Sequence, residues 1–250
     1  MARTRRPRVT WVFGATLDGR VAAPDGTSRW ISSRVARVDA HRLRAAHDAV
    51  LVGSGAARLD DPHLALRHGV SGRPPLRIVL DARAAFVTPA SRVADEAAPS
   101  LIVIGSNAPD PALPAHVAIA RVELDADGRF GLPGLLDELA RRGVRTLLVE
   151  GGPVIAGAFL EAGLVDEVVG YVRAAVLGAG RPLLVLPDVT TIGDLRPFRL
   201  IAADVIGEDV RIRMTTRRAR RAATSRRASA APASAADLPP AEPAEERPRP

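Results

Sequence analysis

Short, almost wholly apolar runs recur along the chain, with helix-like or loop-like stretches between them. Leu76-Arg77-Ile78-Val79-Leu80, Leu101-Ile102-Val103-Ile104 and Val144-Arg145-Thr146-Leu147-Leu148-Val149 are the clearest. A strand apolar at consecutive positions must be covered on both faces. That is the condition of a parallel sheet between helices. Further strands are expected over 9–16, 49–53, 117–124 and 165–172. Ser32 or Ser33 can cap a helix running to about Ala46. Residues 132–142 read as a helix closed by Gly143, and Pro153 suits the first turn of another that Gly163 ends. Residues 198–206 and 210–214 resemble a hairpin around Gly207-Glu208-Asp209. The order predicts an α/β fold with a mostly parallel central sheet, flanking helices and an antiparallel C-terminal hairpin.

Composition narrows the chemistry. The chain has no Cys and no Lys. This excludes thiol nucleophiles, Cys-ligated metals, Lys Schiff bases and the Walker A lysine. None of the five His is spaced like a zinc pair, so no metal is expected. The net charge of +7 lies at the ends. Residues 1–8 hold four Arg and no acid, and residues 215–250 hold eight Arg and four acids, so the body is nearly neutral. Residues 1–8 read as a disordered basic N-terminus, 9–215 as the folded domain, and 216–250 as a disordered Arg/Ala/Pro-rich tail. The tail reads as a solvated terminus rather than a nucleic-acid contact. No apolar run reaches a membrane span, and no signal peptide is recognisable, so a cytoplasmic protein is expected.

Val149-Glu150-Gly151-Gly152-Pro153 is the sharpest local signal. A strand ends on an acid, two glycines follow, and a helix begins at proline. That arrangement presents free backbone N–H groups and a positive helix end to a pyrophosphate. It is equally compatible with a plain strand–helix turn, because the three-glycine dinucleotide spacing is missing. Residues 16–30 form a long polar loop in which Ser28 and Trp30 can meet a ligand, although Trp30 also suits a hydrophobic staple. Arg34, Arg37, His41 and Arg44 fall on one helical face as a cationic stripe, usually a solvated one. The stretch 54–67 reads as a short turn followed by Asp60 and Asp61, candidates for acid/base work, with Arg67 beyond them. Asp61 before Pro62 suits a turn, and His63 a loop.

Taken in order, ATLDGRVAAPDGTSRWISS, LVGSGAARLDDPHLALR, LRIVLD, LLVEGGPVIAGAFLEAGLVDEV and VLGAGRPLL resemble the reductase domain of riboflavin biosynthesis. The resemblance spans about residues 9–214. It implies a dihydrofolate-reductase-like fold and NADPH-dependent reduction of 5-amino-6-(5-phosphoribosylamino)uracil to its ribitylamino form. It also implies a free-standing reductase, because the family's deaminase half is a zinc enzyme with Cys ligands. Substrate-binding positions carry over to Ser28, Arg44, Leu64, Arg67 and Glu150, the two Arg suiting the 5-phosphate. Cofactor positions carry over to Gly14, Trp30, Ala56, Asp60 and Ala82, and to the turn and helix of Gly151, Gly152, Pro153, Val154, Ile155, Ala156, Gly157 and Ala158. Charge alone suggests Arg83 for the 2′-phosphate. Asp60 and Glu150 are the catalytic candidates, Asp60 for the proton or orientation and Glu150 for the pyrimidine or ribityl hydroxyls. Val12 stands where many bacterial members carry Lys, and Ala56 where Thr is common. The family's tendency to form homodimers points to the edge region 165–172 as a contact. Two other readings stay open: a related reductase of another pyrimidine or a pterin, and a non-catalytic nucleic-acid-associated regulator.

Overall fold

The computed structural model describes residues 6–28 and 31–216. The first third of the fold contains strand β1 (Arg8–Thr16), the short strand β2 (Arg20–Ala22), helix α1 (Arg34–Ala45), strand β3 (Ala49–Gly53) and helix α2 (Ser54–Asp60). Strands β4 (Leu76–Leu80), β5 (Ser100–Gly105) and β6 (Ala118–Val122) follow, then helix α3 (Leu132–Arg141), strand β7 (Thr146–Val149) and helix α4 (Pro153–Glu161). Strand β8 (Glu167–Arg173), the two-residue β9 (Arg181–Pro182) and the hairpin β10 (Phe198–Ile206) with β11 (Asp209–Thr216) complete it.

Nine strands form one sheet in the order β10-β11-β8-β1-β7-β3-β4-β5-β6. All pairings from β8 to β6 are parallel, and β10 and β11 run antiparallel. This is the expected mixture. Alternation explains the apolar runs. On β3, Ala49 and Leu51 point into the layer with α3 and α4, while Val50 and Val52 point into the layer with α1. β4 and β5 divide in the same way, with Ile78, Leu80, Leu101 and Val103 on one side and Val79, Ile102 and Ile104 on the other. Full burial on both faces is why these segments carry almost no polar residue.

Several local expectations need correction. Residues 54–60 form α2 rather than a turn. Residues 6–8 are not a disordered end: Arg6 grips Asp166 through two nitrogens, at 2.7 and 2.9 Å, and β1 begins at Arg8. β11 extends through Thr216. β8 is an interior strand between β1 and β11, so 165–172 offers no free edge. The free edge on that side is β10, where Leu200, Ile201 and Val205 are exposed. The tail from 217 lies outside the described residues. Of the two candidate caps, Ser33 is the one used, its side chain accepting the Ala36 N–H at 3.2 Å. Among the described residues, no helix is long and apolar enough to cross a membrane.

Candidate active site

Parallel strands deliver their C-terminal ends to one sheet edge, where crossover loops leave a crevice. Here that edge holds a cavity of about 790 Å³. Its floor runs from Tyr171 on β8, past Val12 and Gly14 on β1 and Glu150 after β7, to Gly53 on β3 and Leu80 on β4.

The glycine turn after β7 is built for close approach. A Cβ on Gly151 would lie 2.6 Å from Ile155 Cβ, and one on Gly53 would lie 2.7 Å from Ile155 Cγ1. Space is open where a Gly152 Cβ would stand. Gly152 caps α4 with no side-chain hydrogen bond, and Pro153 occupies the first turn. The first-turn N–H groups are therefore not taken by a side chain and lie at the positive end of the helix. Gly151, Gly152, Pro153, Val154, Ile155 and Ala158 all border the cavity. Ala156 and Gly157, expected beside them, face the other way and are buried. A Cβ on Gly157 would stand 2.3 Å from the Val185 carbonyl oxygen, so this face packs on the 183–186 segment.

Glu150 borders the cavity but is not alone. Arg44 donates from Nε to Oε1 and from Nη2 to Oε2, both at 2.6 Å, and from Nη1 to the Ala65 carbonyl at 3.2 Å. Burial works against the Arg44 charge, yet the Glu150 carboxylate beside it leaves the guanidinium pKa raised. The two residues expected to take different parts of the substrate are thus joined to each other. Arg67 lies close enough to feel the Arg44 charge and is itself exposed, but neither Arg borders the main cavity.

The cationic stripe does not exist as expected. His41 is only 5% exposed. Burial, with Arg44, His68 and Arg67 nearby, pushes its pKa down to about 3. Its neutral ring accepts the Arg67 N–H at Nδ1, 3.0 Å away, which fixes the tautomer and ties the loop of Arg67 to α1. Leu64, expected at the substrate, has a left-handed backbone (φ 58°) and a side chain 1% exposed in the core. Only its backbone is available to a ligand.

Ser28, Gly14, Ala56, Asp60 and Ala82 border the cavity as expected. Asp60 ends α2 and is exposed. Asp61 is not its chemical partner: it adopts a left-handed conformation (φ 36°), and its Oδ1 accepts the Arg92 N–H. His63 is held at 2.7 Å by Asp95, and the buried Arg77 ties His63, Arg92, Asp95 and Ala98 together. Arg83 is exposed and does not border the cavity. Trp30 lies outside the described residues.

Three features escaped the sequence reading. Tyr171, the chain's one tyrosine, lines the cavity opposite Gly14 in register and donates to Asp39 at 2.9 Å. Burial, and donation to that carboxylate, raise its pKa. Arg129 and Phe130 border the cavity from the β6–α3 loop. Asp18 accepts the N–H groups of Leu177 and Gly178 at 3.0 and 2.8 Å, and the Thr16 hydroxyl at 2.6 Å. Those bonds hold its pKa at about 2, and with the β2–β9 pair they fasten the loop after β8 beside the cavity. The nearest sequence signal was the Asp-Gly turn at 18–19.

Known proteins agree with this architecture. The chain is 34% identical over 221 residues to the riboflavin biosynthesis protein RibD of Mycobacterium tuberculosis H37Rv, covering 86% of this chain and 56% of that protein. It therefore spans little more than half the length of that relative. It is 32% identical to the 2,5-diamino-6-ribosylamino-4(3H)-pyrimidinone 5′-phosphate reductase of Methanothermobacter thermautotrophicus, covering 85% of this chain and 99% of that one. The crystal structure of a Thermotoga maritima diaminohydroxyphosphoribosylaminopyrimidine deaminase/5-amino-6-(5-phosphoribosylamino)uracil reductase superposes with a TM-score of 0.74 at 27% identity, over 84% of this chain and 57% of that one. Residues 7–212 match the RibD C-terminal domain, and the chain belongs to that family.

Proposed function

We propose that this chain reduces 5-amino-6-(5-phosphoribosylamino)uracil to the 5-phosphoribitylamino product with NADPH. The observation that carries the reading is the cavity itself. It joins an open helix N-terminus and a glycine turn, suited to a pyrophosphate, to the carboxylates Glu150 and Asp60. The relatives named as reductases of phosphorylated ribosylamino-pyrimidines supply the substrate class.

The ribosylamine opens to an imine at the former anomeric carbon. When bound, the nicotinamide supplies a hydride to that carbon, and a proton reaches the imine nitrogen. This chain's residues hold the reacting carbons together and manage the proton. Asp60, open to the cavity, orients the reacting groups or relays the proton. Glu150, with both oxygens engaged by Arg44, accepts hydrogen bonds from pyrimidine N–H or ribityl O–H groups. Arg67, its backbone tied to His41, takes the 5-phosphate together with the remaining donors of Arg44.

Loss of nicotinamide absorbance with the phosphorylated substrate tests the reading. Turnover is expected, and Arg67→Ala should raise KM about ten- to hundredfold, the range for one guanidinium–phosphate contact. It should leave the dephosphorylated compound unaffected. An enzyme that binds NADPH but ignores the phosphate would overturn the substrate assignment. The near full-length match to the archaeal enzyme favours a second reading, in which the 2-amino pyrimidinone is the better substrate. The ratio of kcat/KM for the two pyrimidines decides between them.

A further inference from the structure

We propose that Arg129 is the residue that reads the 2′-phosphate of the dinucleotide and so sets the preference for NADPH over NADH. This rests on the cofactor reading above and assigns a part of it that the expected residue, Arg83, does not fill.

The cavity floor crosses from β8 through β1, β7 and β3 to β4, four strand steps, or about 19 Å at the usual strand spacing. The glycine turn and the first turn of α4 sit between the ends, beside β7 and β3. A dinucleotide with its pyrophosphate there has two ways to lie. Tyr171 on β8 and Glu150 after β7 both reach α1, through Asp39 and Arg44. The substrate takes that side of the cavity, so the adenosine half lies toward β4.

Among the described residues two cations border the cavity: Arg181 on β9, which pairs with β2, and Arg129 toward β4. Arg58 on α2 and Arg83 after β4 are exposed and do not border it. Arg129 does, beside the apolar Phe130 and Leu132. Its loop starts two strands away, beyond β5 and β6, and glycine lets it lean across. A Cβ on Gly105, at the end of β5, would stand 2.7 Å from Leu124 Cδ1 and 2.9 Å from the Ala82 carbonyl oxygen. Without that Cβ, the base of the loop lies over β5 and reaches residue 82, itself a cavity residue.

The loop is also stiff. Leu124 bridges Phe130, the Asp125 N–H donates to the Arg129 carbonyl at 2.8 Å, and Gly128 takes φ 73°. Asp125 Oδ1 accepts the N–H groups of Asp127 and Arg129 at 3.0 and 2.8 Å. Asp125 is thus turned to its own backbone, and Glu123, the loop's first acid, accepts the Ser106 hydroxyl at 2.9 Å. Among the described residues, the Arg129 guanidinium engages no hydrogen-bond or ion-pair partner. A cation held by its backbone, with a free head at the adenosine end of a dinucleotide cleft, matches a phosphomonoester on the ribose.

Calorimetric titration with adenosine 2′,5′-bisphosphate and with 5′-AMP tests this without turnover. Wild type should prefer the bisphosphate by about ten- to hundredfold, the measure of one charge-assisted contact. Arg129→Ala should bring the two ligands within about twofold, by the loss of that contact, with its melting temperature unchanged. Arg129→Lys should restore part of the preference, and Arg83→Ala should keep all of it. In turnover, Arg129→Ala should lower kcat/KM for NADPH and leave NADH alone. A wild type indifferent to the 2′-phosphate would overturn the NADPH reading. A wild type that prefers the bisphosphate, with the preference intact in Arg129→Ala, would overturn Arg129 alone.

Discussion

Two carboxylates border the cavity, and their surroundings give them different work. Glu150 is clasped by Arg44 at 2.6 Å on each oxygen, whereas Asp60 ends a short helix and is exposed. A group that must reorient or exchange a proton during turnover is better served by the second environment. Asp60→Asn should therefore cut kcat by about tenfold to a thousandfold, within the range of acid–base and positioning effects, while affinity for the reduced nicotinamide cofactor, measured by fluorescence, stays near wild type. His41 carries a consequence for stability. Its folded pKa of about 3 lies below the ordinary 6.5, so as pH falls the unfolded chain takes up this proton first. The neutral, buried ring contributes fully above about pH 6.5, and its contribution is eroded between there and about pH 3. The melting temperature should fall across that window, and fall less steeply in His41→Gln, which has no proton to take up.

At the scale of elements, α4 is the pivot, since one side borders the cavity and the other abuts the 183–186 segment. Gly157→Ala would set a Cβ 2.3 Å from the Val185 carbonyl oxygen, and backbone must move to admit it. A loss of about 1–3 kcal/mol is expected, the usual result of overpacking, with weaker binding of the nicotinamide cofactor because Leu183 and Val185 line the cavity. Chemical denaturation and fluorescence titration check the two effects separately. The elements legible in the sequence were those whose periodicity is strong. β3, β4 and β5 announce themselves as apolar runs, α3 by the glycine after its end, and α4 by proline in its first turn and glycine after its end. α2 was not legible, because Ser54-Gly55-Ala56-Ala57 reads as a turn and no residue of the helix is buried to give it a stripe. β2 and β9 are too short to carry a period, and they exist through pairing across the chain. The site was legible in the same proportion. The Gly151-Gly152-Pro153 turn could be read directly, since local geometry makes it. The Arg44–Glu150 clasp, the burial of His41 and Leu64, and Arg129 at the cavity could not, because each depends on a partner far along the chain.

On the scale of the whole molecule, the sheet has one well-covered half and one open margin. β10 exposes Leu200, Ile201 and Val205, with Val205 82% accessible, and among the described residues it pairs only with β11. An exposed apolar edge strand is a template for association, and natural proteins cover it or blunt it with charge. We expect this edge to join two copies of the chain. Val205→Glu should then shift the mass measured by light scattering from dimer to monomer at micromolar concentration, and a wild type already monomeric there would refute the contact.

The central position of β1 has a consequence for how the molecule is made. The first strand of the chain pairs with β7 and β8, whose residues come about 140 to 160 positions later. During synthesis β1 leaves the ribosome long before either partner exists. Helix α1 and the β3–β4–β5 block can begin to assemble, but the gap between them and β1 stays open until β7, ending at Val149, has emerged, and the other side of β1 until β8 follows. The amino-terminal half is thus a fragment without a centre, its Val9, Trp11 and Val12 bare to solvent or to chaperones. Such late closure over long sequence separation slows folding. Nascent chains halted before β8 should be digested readily by protease, and those halted after Thr216 should resist.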